Sequence, residues 1–283
     1  MKIRIITGFC MALVFIPVLM FSQYIVYPIF LSLLCFMAAY EMLKVFKKER
    51  CAEIAIPSYL LALSYPIAPY FILRAQDPSR GVVLMLLGIF IYMMYLFAVG
   101  VMHKGRMPLS EIFSAFSSVL YILIGFSALS ILRYLPVGFY VFLLAFFTAW
   151  GSDIFAYFVG TFIGKHKLIV EVSPKKTVEG AIGGIVCTFG ILMLYGYLVD
   201  RTAGVDTNYL AIAALGLFLP IVSQIGDLFA SLIKREAGVK DYSHLFPGHG
   251  GVMDRFDSII AVSIATLIIT LIVQPFSGVA PIL

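Results

Sequence analysis

The sequence predicts an all-α polytopic membrane protein with about nine transmembrane helices, and three observations predict it. Hydrophobic residues make up 62% of the 283 residues and charged residues only 12%, with a mean hydropathy of +1.03, more apolar surface than a soluble fold tolerates. The apolar residues fall into stretches of roughly 20, the length at which a helix crosses a bilayer core of about 30 Å. The basic residues gather on one side of those stretches. The net charge of +5 is explained by that placement, and no nucleic-acid partner is expected.

The expected spans run near 3–21, 24–46, 54–73, 81–102, 110–132, 137–164, 177–198, 209–234 and 255–275. The first has a short basic start, Lys2 and Arg4, and resembles a signal peptide, but no small-x-small cleavage site precedes the next apolar run, so it is read as a membrane helix. Pro17 and Pro28 interrupt the first two spans, which also allows a single hairpin of unusual shape. If the N-terminus is cytoplasmic, sixteen of the twenty Lys and Arg residues face the cytoplasm, leaving Arg74, Arg80, Arg133 and Arg201 outside. That asymmetry predicts an odd number of spans and a C-terminus on the opposite side. The four cysteines show no metal-binding spacing and read as reduced packing residues.

Two regions are expected. Residues 1–135 carry almost no charge within their spans and read as scaffold or dimer surface. Residues 136–283 hold the acids and glycines and read as the catalytic region, with cytoplasmic loops at 165–176 and 235–254.

In the sixth span Asp153 lies about 16 Å from the cytoplasmic end at 1.5 Å per residue. Ser152, Ala156, Gly160 and Gly164 recur every four positions, a face on which another helix can approach closely. Asp153 either meets other polar groups in a cavity or bonds to backbone and hydroxyls as structure. Downstream, Ser173 and Pro174 suit the cap and first residue of a helix, which would put Lys175 and Lys176 in a first turn favourable to phosphate. Simple anchoring at the cytoplasmic face also accounts for these lysines. Gly180 and Gly184 make a second small face.

The eighth span sets Ser223, Asp227 and Ser231 at steps of four, with Lys234 and Arg235 one turn on. Asp227 lies about 10 Å inside the helix end. An unpaired carboxylate at mid-membrane costs roughly 2.5 to 3.5 kcal/mol, so Asp227 should face a hydrated cavity with a cation, or a structural Lys or Arg. The loop that follows carries Lys240, Asp241 and His249, and Gly248, Gly250 and Gly251 permit turns whose amides could face an anion. Asp254, Arg255 and Asp257 open the ninth span; acids there are also good helix starters. Carboxylates suit hard metal ions, and Lys and Arg suit phosphate, so the stretch 223–258 points to metal-assisted phosphate chemistry. There is no HExxH zinc pair and no P-loop.

The runs Ser231-Leu-Ile-Lys234-Arg235, Lys240-Asp241 and Leu245-Phe-Pro-Gly-His-Gly-Gly-Val-Met-Asp-Arg-Phe-Asp257 closely resemble the signature of the phosphatidate cytidylyltransferases, the CDP-diacylglycerol synthases. The run SPKKTVEG, 173–180, looks like a second motif of that family. The resemblance implies a magnesium-dependent reaction of CTP with phosphatidate, giving CDP-diacylglycerol and pyrophosphate. It implies that Asp227 and Asp254 hold the metal, with room for a second cation. Lys175, Lys176, Lys234, Arg235 and Arg255 then bind phosphate, joined by Ser231 and His249, while Lys240 and Asp241 complete the catalytic loop. Asp153 and Asp257 remain as further cavity acids. The resemblance also implies a homodimer. The placement of charge sets the active site at the cytoplasmic face, and a bacterial inner membrane is the expected location.

Two other classes stay open from the sequence. A cation-coupled transporter would use Asp153 and Asp227 as relays, but the cationic, glycine-rich loop argues against it. Another lipid enzyme using CTP or CDP is the second; the DGxxAR pattern of the CDP-alcohol phosphotransferases is absent, and a polyprenol kinase would release CDP.

Overall fold

The computed structural model describes residues 2–103, 107–273 and 275–276, with side chains from residue 6 onward. Lys104 and Arg106 and the side chains of Lys2 and Arg4, counted above in the charge asymmetry, lie outside the described residues.

The chain is almost entirely helical. In order come α1 (Lys2–Met20), α2 (Val26–Val45), α3 (Ala52–Ser64), α4 (Ala68–Ile72), α5 (Pro78–Met102), α6 (Leu109–Tyr134) and α7 (Gly138–Ile163). A hairpin of β1 (Lys167–Ile169) and β2 (Ser173–Thr177) follows, then α8 (Val178–Ala203), α9 (Tyr209–Glu236) and α10 (Met253–Val273). Among the described residues eight helical stretches are long and apolar enough to cross a membrane, and Ile6–Met20 is apolar but shorter. The protein is an integral membrane protein of polytopic, helical type.

Prolines shape two of these elements. The stretch Ala52–Ile72 is broken after Ser64, because Pro66 offers no N–H to continue the helix, and α4 restarts with Pro69 in its first turn. Pro28, expected to interrupt the second span, sits instead in the first turn of α2, where no N–H is required.

The described residues divide into two compact units. The first combines Met1–Ile131 with Ala237–Arg255, so the glycine-rich loop belongs with the N-terminal helices. Its core stripe on α2 is Tyr27, Leu31, Cys35, Ala38, Ala39, Met42 and Leu43, all buried at the three- and four-residue steps of one helix face. The Tyr27 hydroxyl donates to the Leu129 carbonyl of α6 at 3.4 Å. Ser58 of α3 and Tyr92 of α5 share a hydroxyl bond of 2.8 Å. Helix α5 otherwise exposes Val83, Leu84, Leu86, Phe90 and Ile91, an apolar surface suited to lipid.

The second unit combines Leu132–Glu236 with Phe256–Pro281. Its centre is the tight approach of α7 and α8, on the two small-residue faces noted in the sequence. A Cβ on Gly180 would lie 2.6 Å from the Ala156 carbonyl oxygen, and one on Gly184 would lie 2.9 Å from that of Ser152. Helix α9 closes on both: the Gln224 amide donates to the Ala181 carbonyl at 3.0 Å and to Ser152 Oγ at 3.4 Å. Helix α10 meets α9 at Gly226, where a Cβ would come 2.7 Å from that of Ala261.

Candidate active site

The second unit contains a cavity of about 480 Å³, a size typical of small-ligand sites. Asp153 of α7 and Asp227 of α9 line it, together with Lys165, Lys167, Lys175 and Lys176 from the hairpin region. Two acidic residues and four lysines therefore line one cavity. The Lys176 ammonium is ion-paired with Asp227, so the in-membrane carboxylate has the cationic partner its position demands.

The hairpin corrects one expectation. Ser173 and Pro174 do not start a helix: residues 173–177 form β2, and the cap of α8 is Thr177, whose Oγ1 accepts the Gly180 N–H at 3.1 Å. Thr-Val-Glu supplies a cap and a first-turn acid directly before an apolar run, while Ser173–Thr177 pairs antiparallel with Lys167–Ile169. Lys175 and Lys176 thus alternate along a strand rather than sharing a helical turn, and both still line the cavity.

Glu179 fixes the hairpin's entry. Its carboxylate accepts the N–H groups of Lys165 at 3.0 Å and His166 at 3.2 Å and meets His166 Nδ1 at 2.6 Å. At the turn between the strands, Arg235 Nε donates to the Val172 carbonyl at 3.4 Å. At the crossing of α9 and α10, Asp257 is buried within electrostatic reach of Asp227, Asp153 and Lys234. Ser258 bridges this group, its hydroxyl donating to Asp153 Oδ2 at 3.0 Å and its N–H to Asp257 Oδ1 at 2.8 Å.

The first unit organises the other polar motif. Gly248 and Gly250 take φ of 78° and 81°, the left-handed region open to glycine at little cost, and Phe246 and Gly250 form a β-bridge. Asp254 Oδ2 accepts the N–H groups of Tyr242 at 2.8 Å and Gly251 at 2.9 Å. The N–H groups of Val252 and Met253 donate to Glu41 at 3.0 and 2.8 Å. Of the three glycines expected to free amides for an anion, Gly251 gives its N–H to the Asp254 carboxylate instead. The Thr7 hydroxyl donates to the Pro247 carbonyl at 3.1 Å; His249 Nδ1 has no hydrogen-bond partner among the described residues.

A family model for the cytidylyltransferases matches residues 2–273. The chain belongs to this family. It is 34% identical over 263 residues to the phosphatidate cytidylyltransferase of Staphylococcus saprophyticus, covering 93% of this chain and 96% of the relative. The same coverage holds for the phosphatidate cytidylyltransferases of Staphylococcus epidermidis at 34% and Staphylococcus aureus at 33%. As a cytidylyltransferase the chain is a nucleotidyltransferase.

The sequence-derived residues of this cytidylyltransferase fall into two sets. Asp153, Asp227, Lys175 and Lys176 line one cavity, and Asp257 with Lys234 lies beside its acids. Ser231, Lys234 and Arg235 are on α9 but outside the cavity lining. Lys240, Asp241, His249, Asp254 and Arg255 belong to the first unit, where Lys240 and Arg255 are exposed and Asp254 is buried. Sequence reasoning passed over Lys165 and Lys167 as binding groups, and Glu41, Glu179 and Ser258 as groups that hold the loops and acids. Glu179 stands inside the SPKKTVEG motif, a signal that pointed to it; Glu41 has no such local mark.

Proposed function

We propose that the protein transfers the cytidylyl group of CTP to phosphatidate, giving CDP-diacylglycerol and pyrophosphate. The observation that carries this reading is the cavity in which Asp153 and Asp227 meet Lys165, Lys167, Lys175 and Lys176, in a chain whose relatives are named for this reaction. The ammonium groups suit the triphosphate and the lipid phosphate, and a cavity among membrane helices suits a substrate whose tails stay in lipid.

In the proposed reaction a phosphate oxygen of phosphatidate forms a bond to the α-phosphorus of CTP. The bond from that phosphorus to the oxygen bridging the β-phosphate breaks, and pyrophosphate leaves with the electron pair. The nucleophile is already anionic, so the protein supplies positioning and charge neutralisation rather than a strong base. Lys175 and Lys176 hold phosphate oxygens from β2, and Lys165 and Lys167 do so from the hairpin's entry.

Magnesium is the proposed cofactor, with a second cation as an extension. Among the described residues no three or more His, Cys, Asp or Glu side chains form a ready cage. Magnesium needs none, since it is usually held by one or two carboxylates, waters and substrate phosphates. Asp227, already facing the Lys176 ammonium, with Asp153 and Asp257 nearby, offers hard oxygen donors that fit it. Bound there, the ion would neutralise charge on the triphosphate. Asp254 is proposed as a further essential acid, with Arg255 as a phosphate ligand.

We also propose that the cavity faces the cytoplasm of a bacterial inner membrane, with the N-terminus on the same side. The test is to give the purified protein phosphatidate, CTP and magnesium and to omit each in turn. CDP-diacylglycerol and pyrophosphate should appear in equal amounts only with all three present; CDP as the nucleotide product would overturn the proposal.

A further inference from the structure

Glu41 lies in the last turns of α2 and is fully buried. A buried carboxylate persists where donors satisfy it, and three do so here. Ser243 Oγ donates to Oε1 at 2.6 Å, the Val252 N–H to Oε1 at 3.0 Å and the Met253 N–H to Oε2 at 2.8 Å. Met253 is the first residue of α10, so the carboxylate also lies at the positive end of that helix's dipole. A Cβ at position 251 would overlap the Glu41 carboxyl group; glycine there is what admits it. From the other side of the loop, Asp254 takes the amides of Tyr242 and Gly251.

We infer that Glu41 is a positioning residue: from α2 it locks the loop 242–253 and the start of α10, and so fixes how Asp254 and Arg255 are presented for the reaction. Lock and loop lie in one compact unit, although Glu41 and Met253 are 212 positions apart in the chain. The kinetic consequence rests on the cytidylyltransfer reading, whereas the order of the loop does not.

The experiment compares the full-length protein with Glu41→Gln and Glu41→Asp by hydrogen exchange of peptides covering 242–253, by thermal melting, and by kcat and KM for CTP. Glu41→Gln keeps the volume but turns an amide N–H toward donors. The amides of Val252 and Met253 should exchange at least about tenfold faster, and kcat should fall about 10- to 100-fold, the usual effect of losing a group that orients an active residue. KM should change less, and Glu41→Asp should recover part of kcat. Unchanged exchange in the loop, or faster exchange with unchanged kcat, would overturn the role. So would a lower melting temperature with kcat intact. If Glu41→Gln does not fold, Gly251→Ala presses on the same carboxylate and should speed exchange at Val252 and Met253; normal exchange there overturns the role equally. A wild-type protein without turnover would sink the cytidylyltransfer reading instead, and the exchange data would still decide the lock.

Discussion

The Lys176 ammonium of β2 pairs with the Asp227 carboxylate of α9, with side chains only 22% and 25% exposed. A strand too short to register in the sequence is thereby tied to an acid well inside a membrane helix. Each charge makes the other tolerable where it stands, and both line the cavity. Removing either should therefore do more than remove one ligand.

Lys176→Met and Asp227→Asn should each lower kcat/KM about a hundredfold or more, the scale for losing a preorganised charge at a reacting phosphate. The double variant should fall well short of the product of the two losses, because the residues act as a pair. A double-mutant cycle on purified protein checks this; independent, multiplying effects would separate the pair.

Glu179→Gln should raise KM for CTP with little change in melting temperature. The amides of Lys165 and His166 that it holds belong to exposed residues, so water replaces the lost acceptor. The hairpin entry, with Lys165 and Lys167, then loses its fixed place. Steady-state kinetics at varied CTP give the answer.

Gly180→Ala should destabilise the protein by about 1 to 3 kcal/mol, the cost of overpacking a tight interface, since the new Cβ meets the Ala156 carbonyl at 2.6 Å. Gly190→Ala on the same helix is the control. Nothing lies within 4 Å of its Cβ, and the change should be neutral or stabilising by up to about 1 kcal/mol. Thermal melting in detergent compares the two.

Eight of the nine expected spans were legible in the sequence, because an apolar run of about 20 residues needs no partner to declare itself. Asp153, Asp227 and the lysines at 175–176 stood out for the complementary reason: charge within or beside apolar runs demands an explanation. The paired small faces of α7 and α8 were legible too, from glycine and alanine at four-residue steps. The hairpin was not. Its strands span three and five residues, too few to show a period, and Ser-Pro imitates a helix start. Glu41 was invisible because its partners lie over 200 positions away, so no local pattern marks it. It looked like one acid at the end of a scaffold helix until the fold brought the loop to it.

Removal of divalent metal should abolish turnover, and magnesium should restore it. Because Asp227 keeps Lys176 as its partner without metal, the melting temperature should fall only slightly on chelation. Turnover and melting measured with and without EDTA test this; full activity in excess chelator would exclude the magnesium proposal.

Cytidylyl transfer is distinguished from phosphoryl transfer by supplying the purified protein with phosphatidate, magnesium and CTP labelled separately at the α and γ phosphates. With cytidylyl transfer the α label should enter lipid while the γ label leaves in pyrophosphate. Entry of the γ label into lipid would make the protein a kinase and contradict it.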